Sequence, residues 1–493
     1  MIDYNPFIKK ILKIDQLHYF IDFKKFNKEE TELIKLICYK NQQLNLLSIK
    51  SKNSSENLLS KKLYVFYLGL LKKIIKSIYF FILSFFKRKK NLLKVKTDII
   101  FICSIGPSSQ KDTIPIVNSF SNKIIIVDKP ERISKGYKEI YKNSQIINIR
   151  DYFNTLDYFL SLLKTIKFIT KLYIFSSKNK YFIDNIKTSA SFYLRLNIYN
   201  NLIKNIKSKK VFIDRGDGQG INYFISQFKD KDKDNKVFSY GVNGLALGND
   251  LISAHYLYSN LDYLFCYGEL DKKFVNILFK SSKFKKLNSP NKIISVGSVR
   301  NFPYKNKKLK IKNKKIKFNF LYLKANPNLY DNLDTECFQK FCMFVNKNFP
   351  KSKIFVKERP IGTKNNDISN MSNSMVDRNL INKDRIFSKI NLSPEDVFKD
   401  IDIVVGTHTS ALAQAIYFNI PTICLDKNII ISSFLKFFCS LYVSSIDEIE
   451  DYKSKIIKIG NKSNLDLNKK NYLFKKVKKN PYLNILNIIN NEN

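Results

Sequence analysis

Short apolar runs that alternate with helix-length segments constrain the fold of this chain more than any other feature. The runs are rich in β-branched and aromatic residues and apolar on both faces, which is typical of buried parallel strands joined by helical crossovers. A strand, a Gly/Pro/Ser loop and a helix are predicted at 98–120, and a further helix at 191–207. The other runs of the first series lie at 123–128, 171–177, 209–214, 236–241, 263–268 and 292–298.

The alternation starts again at residue 318, after a stretch rich in Lys and Asn. Its apolar runs lie at 318–323, 353–357, 401–406 and 421–426, with a helix predicted from about 334 to 348. A chain of 493 residues has room for two domains of ordinary size. We therefore predict an α/β protein with two Rossmann-like domains facing a cleft, preceded by an N-terminal helical extension.

The predicted domain limits follow these changes in composition. They are an N-terminal helical extension at 1–94, a first Rossmann-like domain at 95–300, a basic linker at 301–317, a second Rossmann-like domain at 318–445, and a C-terminal helical tail at 446–493. The stretch at 301–317 is equally compatible with a solvated loop.

The formal net charge of +44 favours anionic substrates and anionic membrane surfaces. Lys far outnumbers Arg, and Asn, Ile, Phe and Tyr are abundant while Trp is absent, a pattern typical of A/T-rich codons. Much of the charge therefore reflects genome composition. Since no zinc-finger, homeodomain or RNP-type pattern occurs, we expect no nucleic-acid partner.

Segment 63–90, "LYVFYLGLLKKIIKSIYFFILSFFKRKK", raises the question of a membrane. Lys72, Lys73 and Lys76 divide it into two apolar runs, each shorter than the ~20 residues that a membrane span needs. Two interpretations stay open: a basic amphipathic helix in the membrane interface, and a buried core helix. The first residues do not resemble a signal peptide. We expect a cytoplasmic protein, peripheral at the inner face of the cytoplasmic membrane.

Cysteine and histidine usage bounds the chemistry. The seven cysteines include no CxxC pair, which fits a reducing compartment. Only three histidines occur, so a multi-histidine metal site is not expected. We predict neither a metal nor a resident cofactor.

The position of a residue along its strand sorts the candidate site residues. Parallel α/β sheets bind ligands beyond the carboxyl ends of their strands. Asp98, Asp400 and Asp402 precede their strands, so we exclude them. Four loops at the carboxyl ends remain.

The first loop, "DRGDG" (214–218), follows a predicted strand in the first domain. Asp214 ends that strand, and Asp217 lies between glycines, the second of which is Gly218. Two carboxylates repel a phosphate, so the loop is better suited to accept a proton from a hydroxyl. The alternative is an ordinary Asp-Gly turn in which Asp214 caps the next helix.

Two loops of the second domain carry cations. "KERP" (357–360) offers Lys357 and Arg359 ahead of Pro360, and an Arg can hold a phosphate with two hydrogen bonds. The alternative is a surface ion pair with Glu358. The loop after the first strand of this domain offers Lys324 and Asn326, a weaker signal.

The fourth loop begins the stretch "THTSALAQA" (407–415), in which polar residues connect a buried strand to a helix. Thr407, Thr409 and Ser410 are more hydroxyls than one helix cap needs, and the free N–H groups of a helix start attract an anion. His408 is a further candidate donor to that anion, although a lone His is more often structural.

These motifs, in this order, resemble the GT-B glycosyltransferases of the bacterial sialyltransferase, polysialyltransferase and Kdo-transferase group. The resemblance covers about residues 97 to 430 and includes an acidic-acidic-Gly motif, a His-Pro motif and a Ser/Thr-rich turn before a helix. It implies an inverting, metal-independent transfer of an acidic sugar from a CMP-sugar to a surface glycan of a capsule or lipopolysaccharide. The first domain would bind the acceptor and the second the nucleotide.

The resemblance also implies roles for individual residues. Asp217, with Asp214 beside it, matches the general base, and Thr407, Thr409 and Ser410 match the groups that hold the departing CMP phosphate. Arg359 stands where the family has the histidine of its His-Pro motif. Because Arg cannot protonate the phosphate, either charge stabilisation suffices or His408 acts as the acid.

Three alternatives to this function stay open. A polyol-phosphate transferase with a CDP-polyol donor and a GT-B enzyme with a UDP-sugar would both show a similar arrangement of motifs. A non-enzymatic protein that binds membranes or polyanions and has kept the GT-B fold is the third. The expected partners are thus a nucleotide-sugar donor, an oligosaccharide or glycolipid acceptor, polyanionic in the leading interpretation, and an anionic membrane surface.

Overall fold

The computed structural model places most of the described residues in two parallel α/β units. It describes residues 23–27, 30–31, 75, 82, 95–103, 107–127, 144–148, 155–175, 206–213, 228–229, 231–241, 261–281, 290–304, 317–324, 327–358, 370–388, 392, 394–407, 409, 411–426, 437–461 and 467–492.

The first unit is built on a seven-stranded sheet in the order β4-β3-β2-β6-β7-β8-β9. All neighbouring strands in it are parallel. Its strands are β2 (Ile99–Cys103), β3 (Lys123–Val127), β4 (Gln145–Asn148), β6 (Lys210–Ile213), β7 (Lys236–Tyr240), β8 (Tyr263–Cys266) and β9 (Lys292–Ser295). Two short strands, β1 (Val95–Lys96) and β5 (Ile206–Lys207), pair separately beside it.

The second unit has a six-stranded sheet in the order β12-β11-β10-β13-β14-β15, also parallel throughout. Its strands are β10 (Asn319–Leu323), β11 (Lys353–Lys357), β12 (Ile386–Phe387), β13 (Ile403–Gly406), β14 (Thr422–Leu425) and β15 (Leu441–Val443).

Described helices lie between many of the strands that follow one another along the chain, as parallel pairing requires. The described α-helices are α1 (Pro107–Asn118), α2 (Thr155–Phe175), α3 (Glu269–Ser281), α4 (Pro327–Asn348), α5 (Asn370–Asp377), α6 (Pro394–Phe398), α7 (Ala411–Tyr417), α8 (Lys453–Gly460), α9 (Leu467–Leu473) and α10 (Pro481–Asn491). Short 3₁₀ turns occur at Phe23–Lys25, Phe302–Tyr304, Lys383–Arg385 and Ile446–Tyr452.

Aromatic side chains from neighbouring strands form much of the first core. Phe101 packs on Phe212 with ring centroids 5.5 Å apart, and Phe238 stacks on Phe265 at 6.4 Å. All four rings are fully buried. Burying one such side chain contributes roughly 1.5–3 kcal/mol, which is why runs apolar on both faces become central strands.

The C-terminal helices return to the first unit. The backbone N–H of Lys475 donates to the carbonyl of Tyr267, and a Cβ on Gly268 would lie 2.6 Å from the carbonyl carbon of Leu473. Glycine is thus the residue that permits this close backbone approach. Phe474 also packs edge-on against Tyr417 of α7, at 5.2 Å, so the C-terminal segment touches both units.

The two tandem parallel sheets confirm the predicted fold class, and most predicted strands appear where expected. The strand predicted at 171–177 is wrong, because residues up to Phe175 belong to α2. A short apolar run does not distinguish a strand from the end of an apolar helix. The helix predicted at 191–207 is wrong at its last two residues, which form β5.

Most of the N-terminal extension, most of segment 63–90 and most of the linker at 301–317 lie outside the described residues. The predicted domain limits therefore stay predictions. Within the part of the chain that the structure describes, no helix is both long and apolar enough to cross a membrane.

Candidate functional site

Three neighbouring strands of the second sheet end at the same level. Leu323 of β10 pairs with Lys357 of β11 on one side and with Gly406 of β13 on the other. The next residues, Lys324, Glu358 and Thr407, therefore emerge side by side at the carboxyl edge. This is the edge at which open parallel sheets bind their ligands.

Thr407 lies beneath the turn that follows β13. It is fully buried, and its hydroxyl donates to Asp334 Oδ1 of α4 at 2.7 Å. The Tyr322 hydroxyl donates to the same oxygen at 2.9 Å. Burial, and after it the charge of Asp334, raises the pKa of Tyr322 well above its usual value, so this phenol stays a donor. The predicted phosphate contact of Thr407 thus competes with an internal hydrogen bond.

Thr409 lies at the start of α7 and is partly exposed. Its hydroxyl accepts from the N–H of Ala411 at 3.3 Å, the capping interaction that the sequence offered as the ordinary explanation. A Cβ on Gly406 would lie 3.1 Å from the Leu323 carbonyl oxygen and 3.2 Å from the Thr409 methyl. The turn is therefore packed closely on the end of β10, with Thr409 on its accessible side.

Lys324 and Glu358 form a buried charged pair at this edge. Lys324 Nζ lies 3.7 Å from Glu358 Oε2, and each side chain is at most 2% exposed. The Ser372 hydroxyl donates to the other carboxylate oxygen of Glu358. The interpretation of Glu358 as a partner in a surface ion pair is wrong, because the β11 end folds this carboxylate inward.

Lys357 is the more accessible cation of the two. It is half-buried, and its ammonium donates to the carbonyl oxygen of Glu358 at 3.2 Å. A second, longer contact joins the ammonium to the carbonyl oxygen of Phe387 at 3.5 Å.

The next strand end adds two groups that the sequence analysis did not select. Asp426 follows β14, is buried, and accepts a hydrogen bond from the Tyr442 hydroxyl at 2.6 Å. Burial and this hydrogen bond raise the pKa of Tyr442. Asp426 could have been selected from the sequence, because it directly follows a predicted strand and ligands bind beyond the carboxyl ends of strands. Asp334, the acceptor of the Thr407 hydroxyl, shows only a weaker signal, that of an acid before the apolar face of a helix.

The first sheet has a buried polar cluster at its own carboxyl edge. Asp112 of α1 is fully buried and accepts from Arg300 Nη2 at 2.6 Å, from the Arg300 backbone N–H at 3.1 Å and from the Tyr267 hydroxyl at 2.9 Å. Burial raises the pKa of Asp112, although Arg300 and Tyr267 act to lower it. Nearby, the Tyr240 hydroxyl donates to the Gly297 carbonyl. The cluster ties α1 to the ends of β7, β8 and β9.

Eight predicted site residues lie outside the described residues: Asp214, Asp217, Gly218, Asn326, Arg359, Pro360, His408 and Ser410. Strand β6 ends at Ile213, so Asp214 is the next residue along the chain. The expectation that Asp217 and the turn at 407–410 face the same substrate therefore stays a prediction.

The acids excluded by strand position are at the amino ends, as expected. Asp98 directly precedes β2, and the Asp402 carboxylate accepts from the backbone N–H of Asn319, the first residue of β10. Among the residues that the structure describes, no group of three His, Cys, Asp or Glu side chains is placed to hold a metal ion.

Solved structures with a similar overall chain path include nucleotide-sugar enzymes. UDP-GlcNAc 2-epimerase from Methanocaldococcus jannaschii, in complex with UDP-GlcNAc and UDP, covers 80% of this chain and 99% of its own at 13% identity, with a TM-score of 0.46. A putative UDP-N-acetylglucosamine 2-epimerase from Listeria monocytogenes covers 80% and 96% at 12% identity, also with a TM-score of 0.46.

The wall teichoic acid polymerase TagF covers 89% of this chain and 98% of its own at 10% identity, with a TM-score of 0.40. No protein-family model matches the sequence, and a search of curated proteins gives no match.

Proposed function

We propose that this protein is an inverting, metal-independent glycosyltransferase that transfers an acidic sugar from a CMP-sugar to a surface glycan. The observation that carries the proposal is the common level at which β10, β11 and β13 end. It supports one binding site for the cations and hydroxyls that the sequence motifs place after these strands.

The chemistry of that edge suits a nucleotide phosphate. Lys357 and Thr409 are both partly exposed at this edge and carry a positive charge and a hydroxyl, respectively. Lys324 adds a buried charge behind them, held by Glu358. Arg359, next along the chain, would add a planar donor able to bind a phosphate with two hydrogen bonds.

The proposed reaction is a single displacement at the anomeric carbon. The acceptor hydroxyl oxygen attacks this carbon while the bond from the carbon to the phosphate oxygen of CMP breaks, with that electron pair staying on the phosphate. Asp217 takes the hydroxyl proton, a role that typically contributes ~10²–10⁴-fold in rate. The products are an inverted glycoside, CMP and one proton.

The acceptor and the location are part of the same proposal. A chain with a net charge of +44 favours a polyanionic oligosaccharide or glycolipid acceptor and an anionic membrane. Ile75 and Ile82, in segment 63–90, are helical and at least half exposed. This supports peripheral attachment at the cytoplasmic face of the membrane.

The products with three donors test the proposal. The purified chain is incubated with CMP-sialic acid, CDP-glycerol or UDP-GlcNAc and an oligosaccharide acceptor, and released nucleotide and acceptor mass are measured. We expect CMP release together with acceptor that has gained a sialyl residue and no phosphorus. Release of UDP, or phosphorus gained by the acceptor, would reject the CMP-sugar donor. No release, together with no rise in melting temperature with any nucleotide, would favour the non-enzymatic alternative.

Two lysines of the same strand provide a matched pair of variants. Lys357 ends β11 at the carboxyl edge, and Lys353 begins it at the amino edge and is exposed. Lys357→Gln should weaken CMP binding about tenfold, since it removes one charge-assisted contact. Lys353→Gln should bind CMP like the unmodified protein in the same titration. Equal effects of the two variants would place the nucleotide elsewhere.

A further inference from the structure

Helix α2 (Thr155–Phe175) buries one face against the protein and presents an apolar face to solvent. Phe168 and Ile169 are buried, and Phe168 packs edge-on against Phe26 at 6.5 Å. Lys171 is fixed on the same helix by a 3.1 Å ion pair with Glu30. Phe168 and Ile169 therefore anchor the helix through a side distinct from positions 159, 163, 166 and 174, whereas Lys171 lies at the border between the two sides, in line with Leu160.

The exposed apolar residues of α2 follow a helical repeat. Between 40% and 61% of each side chain is accessible. The residues are Phe159, Leu160, Leu163, Ile166 and Ile174. Positions 159, 163, 166 and 174 fall on one face, which extends over roughly 22 Å at 1.5 Å per residue. Thr170 lies on the same face, and its hydroxyl donates to the Ile166 carbonyl within the helix, so its methyl adds to the apolar surface.

Lysines border this face on one side. Lys164 and Lys167 are exposed and follow Leu160 and Leu163 around the helix. A face with a large apolar stripe and a rim of lysines is typical of helices that lie in the interface of an anionic bilayer. The lysine stems can lie along the lipid while their ammonium groups reach the phosphates.

We propose that the exposed face of α2 is a docking surface for an anionic lipid bilayer. Charge complementarity selects this occupant over two others. A second copy of this chain carries a net charge of +44, and the chain's own segment 63–90 contains seven basic and no acidic residues. Either would bring like charges to the lysine rim, whereas an anionic lipid surface neutralises it. The inference does not depend on the proposed glycosyl transfer, because vesicle binding needs no nucleotide.

Co-sedimentation of the full chain with vesicles tests the apolar face. The vesicles contain phosphatidylcholine with about 30% phosphatidylglycerol, at about 0.1 M salt. Leu163→Ser/Ile166→Ser should lower the partition coefficient about tenfold or more, since two side chains no longer enter the interface. Met343→Ser/Leu483→Ser, which removes exposed apolar residues elsewhere, should bind like the unmodified chain. Equal binding of both double variants and the unmodified chain would overturn the proposal.

The lysine rim gives a second, electrostatic readout. Lys164→Gln/Lys167→Gln should weaken binding to the anionic vesicles about fivefold per lysine, with no change on pure phosphatidylcholine. Lys478→Gln/Lys479→Gln, which changes two lysines that are also exposed, on the C-terminal segment, is the control. Substituting glutamine for the four basic residues at 87–90 is a further comparison, and a loss of vesicle binding in that variant alone would contradict the proposal. The proposal would also be contradicted if the α2 variants changed the molar mass of the protein in light scattering without changing vesicle binding, because another copy of the chain would then cover the face.

The absence of tryptophan from the chain permits a direct probe. Leu163→Trp introduces a sole tryptophan on the proposed surface, and Met343→Trp introduces one away from it. We expect the emission of Leu163→Trp to shift to shorter wavelength on vesicle addition and to be quenched by brominated lipid. Emission unchanged at position 163, in a chain that sediments with the vesicles, would show that α2 does not enter the bilayer.

Discussion

Thr407 Oγ1 and Tyr322 Oη both donate to the same oxygen, Oδ1 of Asp334, at 2.7 Å and 2.9 Å. All three side chains are buried. A buried carboxylate is stable only when donors satisfy it, so this arrangement fixes the turn after β13 from below. Thr409, two residues further on, remains partly exposed. The two threonines of one motif therefore have different tasks.

Substitution of the two threonines by valine should separate these tasks. Thr407→Val removes a donor from a buried carboxylate and should lower the free energy of unfolding by about 1–3 kcal/mol in urea titrations. Thr407→Ser keeps the donor and should lose much less. Thr409→Val loses only a cap contact, about 0.5–1 kcal/mol, but should weaken CMP binding in calorimetry. If Thr407→Val unfolds like the unmodified protein, the buried network is not stabilising.

The central strands of both sheets could be predicted from the sequence because the signal is local, but the edge strands β4, β12 and β15 were not predicted. The apolar run at 263–268, for example, is buried at every position and contains β8. The prediction of a strand at 171–177 was wrong because the apolar residues up to Phe175 continue the 21-residue helix α2. The helical repeat of Thr165, Phe168 and Ile169 decides that case, and it becomes visible only when the flanking residues are included.

The site could be predicted only as far as strand ends determine it. Lys324, Lys357 and Thr407 were selected because they lie at or directly after strand ends, and the structure places them at the carboxyl ends of adjacent strands. Their partners were not predictable, since Asp334 lies 73 residues from Thr407 along the chain and Ser372 lies 14 from Glu358. Which side chain turns inward depends on such tertiary contacts. The inward turn of Glu358 is therefore a result of the fold rather than of its motif.

The pair formed by Lys324 and Glu358 should respond differently to single and double substitution. Lys324→Met leaves a buried carboxylate beside the Ser372 hydroxyl and should destabilise the protein by about 3–5 kcal/mol. Lys324→Met/Glu358→Gln removes both charges and should recover most of that loss in urea titrations. Nucleotide affinity provides the second readout. If the positive charge of Lys324 contributes to phosphate binding, the double variant should regain stability without regaining CMP affinity. Recovery of both stability and affinity would show that Lys324 has only a structural role.

The buried pair of Asp112 and Arg300 predicts a pH-dependent variant. Because burial raises the pKa of Asp112 in the folded state, the folded protein binds more protons than the unfolded one near that pKa. This contribution to stability is therefore fully present at low pH and is lost as the pH rises through the raised pKa. Arg300→Met removes a group that lowers this pKa and should enlarge the effect.

Urea unfolding at two pH values tests that sign. At about pH 7.5 the Arg300→Met variant should be less stable than the unmodified protein by about 3–5 kcal/mol. The difference should shrink at about pH 5, where Asp112 can take up a proton. Asp112→Asn/Arg300→Met has no carboxyl to titrate, so its difference from the unmodified protein should change little with pH. A deficit of Arg300→Met that grows on acidification would contradict the assignment.

The proposed general base gives the sharpest separation of chemistry from binding. Asp217→Asn keeps the size and polarity of the side chain but cannot accept the acceptor proton, so the turnover number should fall by about 10²–10⁴-fold. The melting-temperature shift caused by CMP should stay unchanged, because the nucleotide binds to the other domain in this proposal. Asp234→Asn, an exposed acid of the same domain, is the matched control and should keep full activity. Asp214→Asn distinguishes the two acids of the motif: a loss in this variant alone would move the base to the residue directly after β6. Full turnover in both variants of the motif would remove the first domain's acids from the reaction altogether.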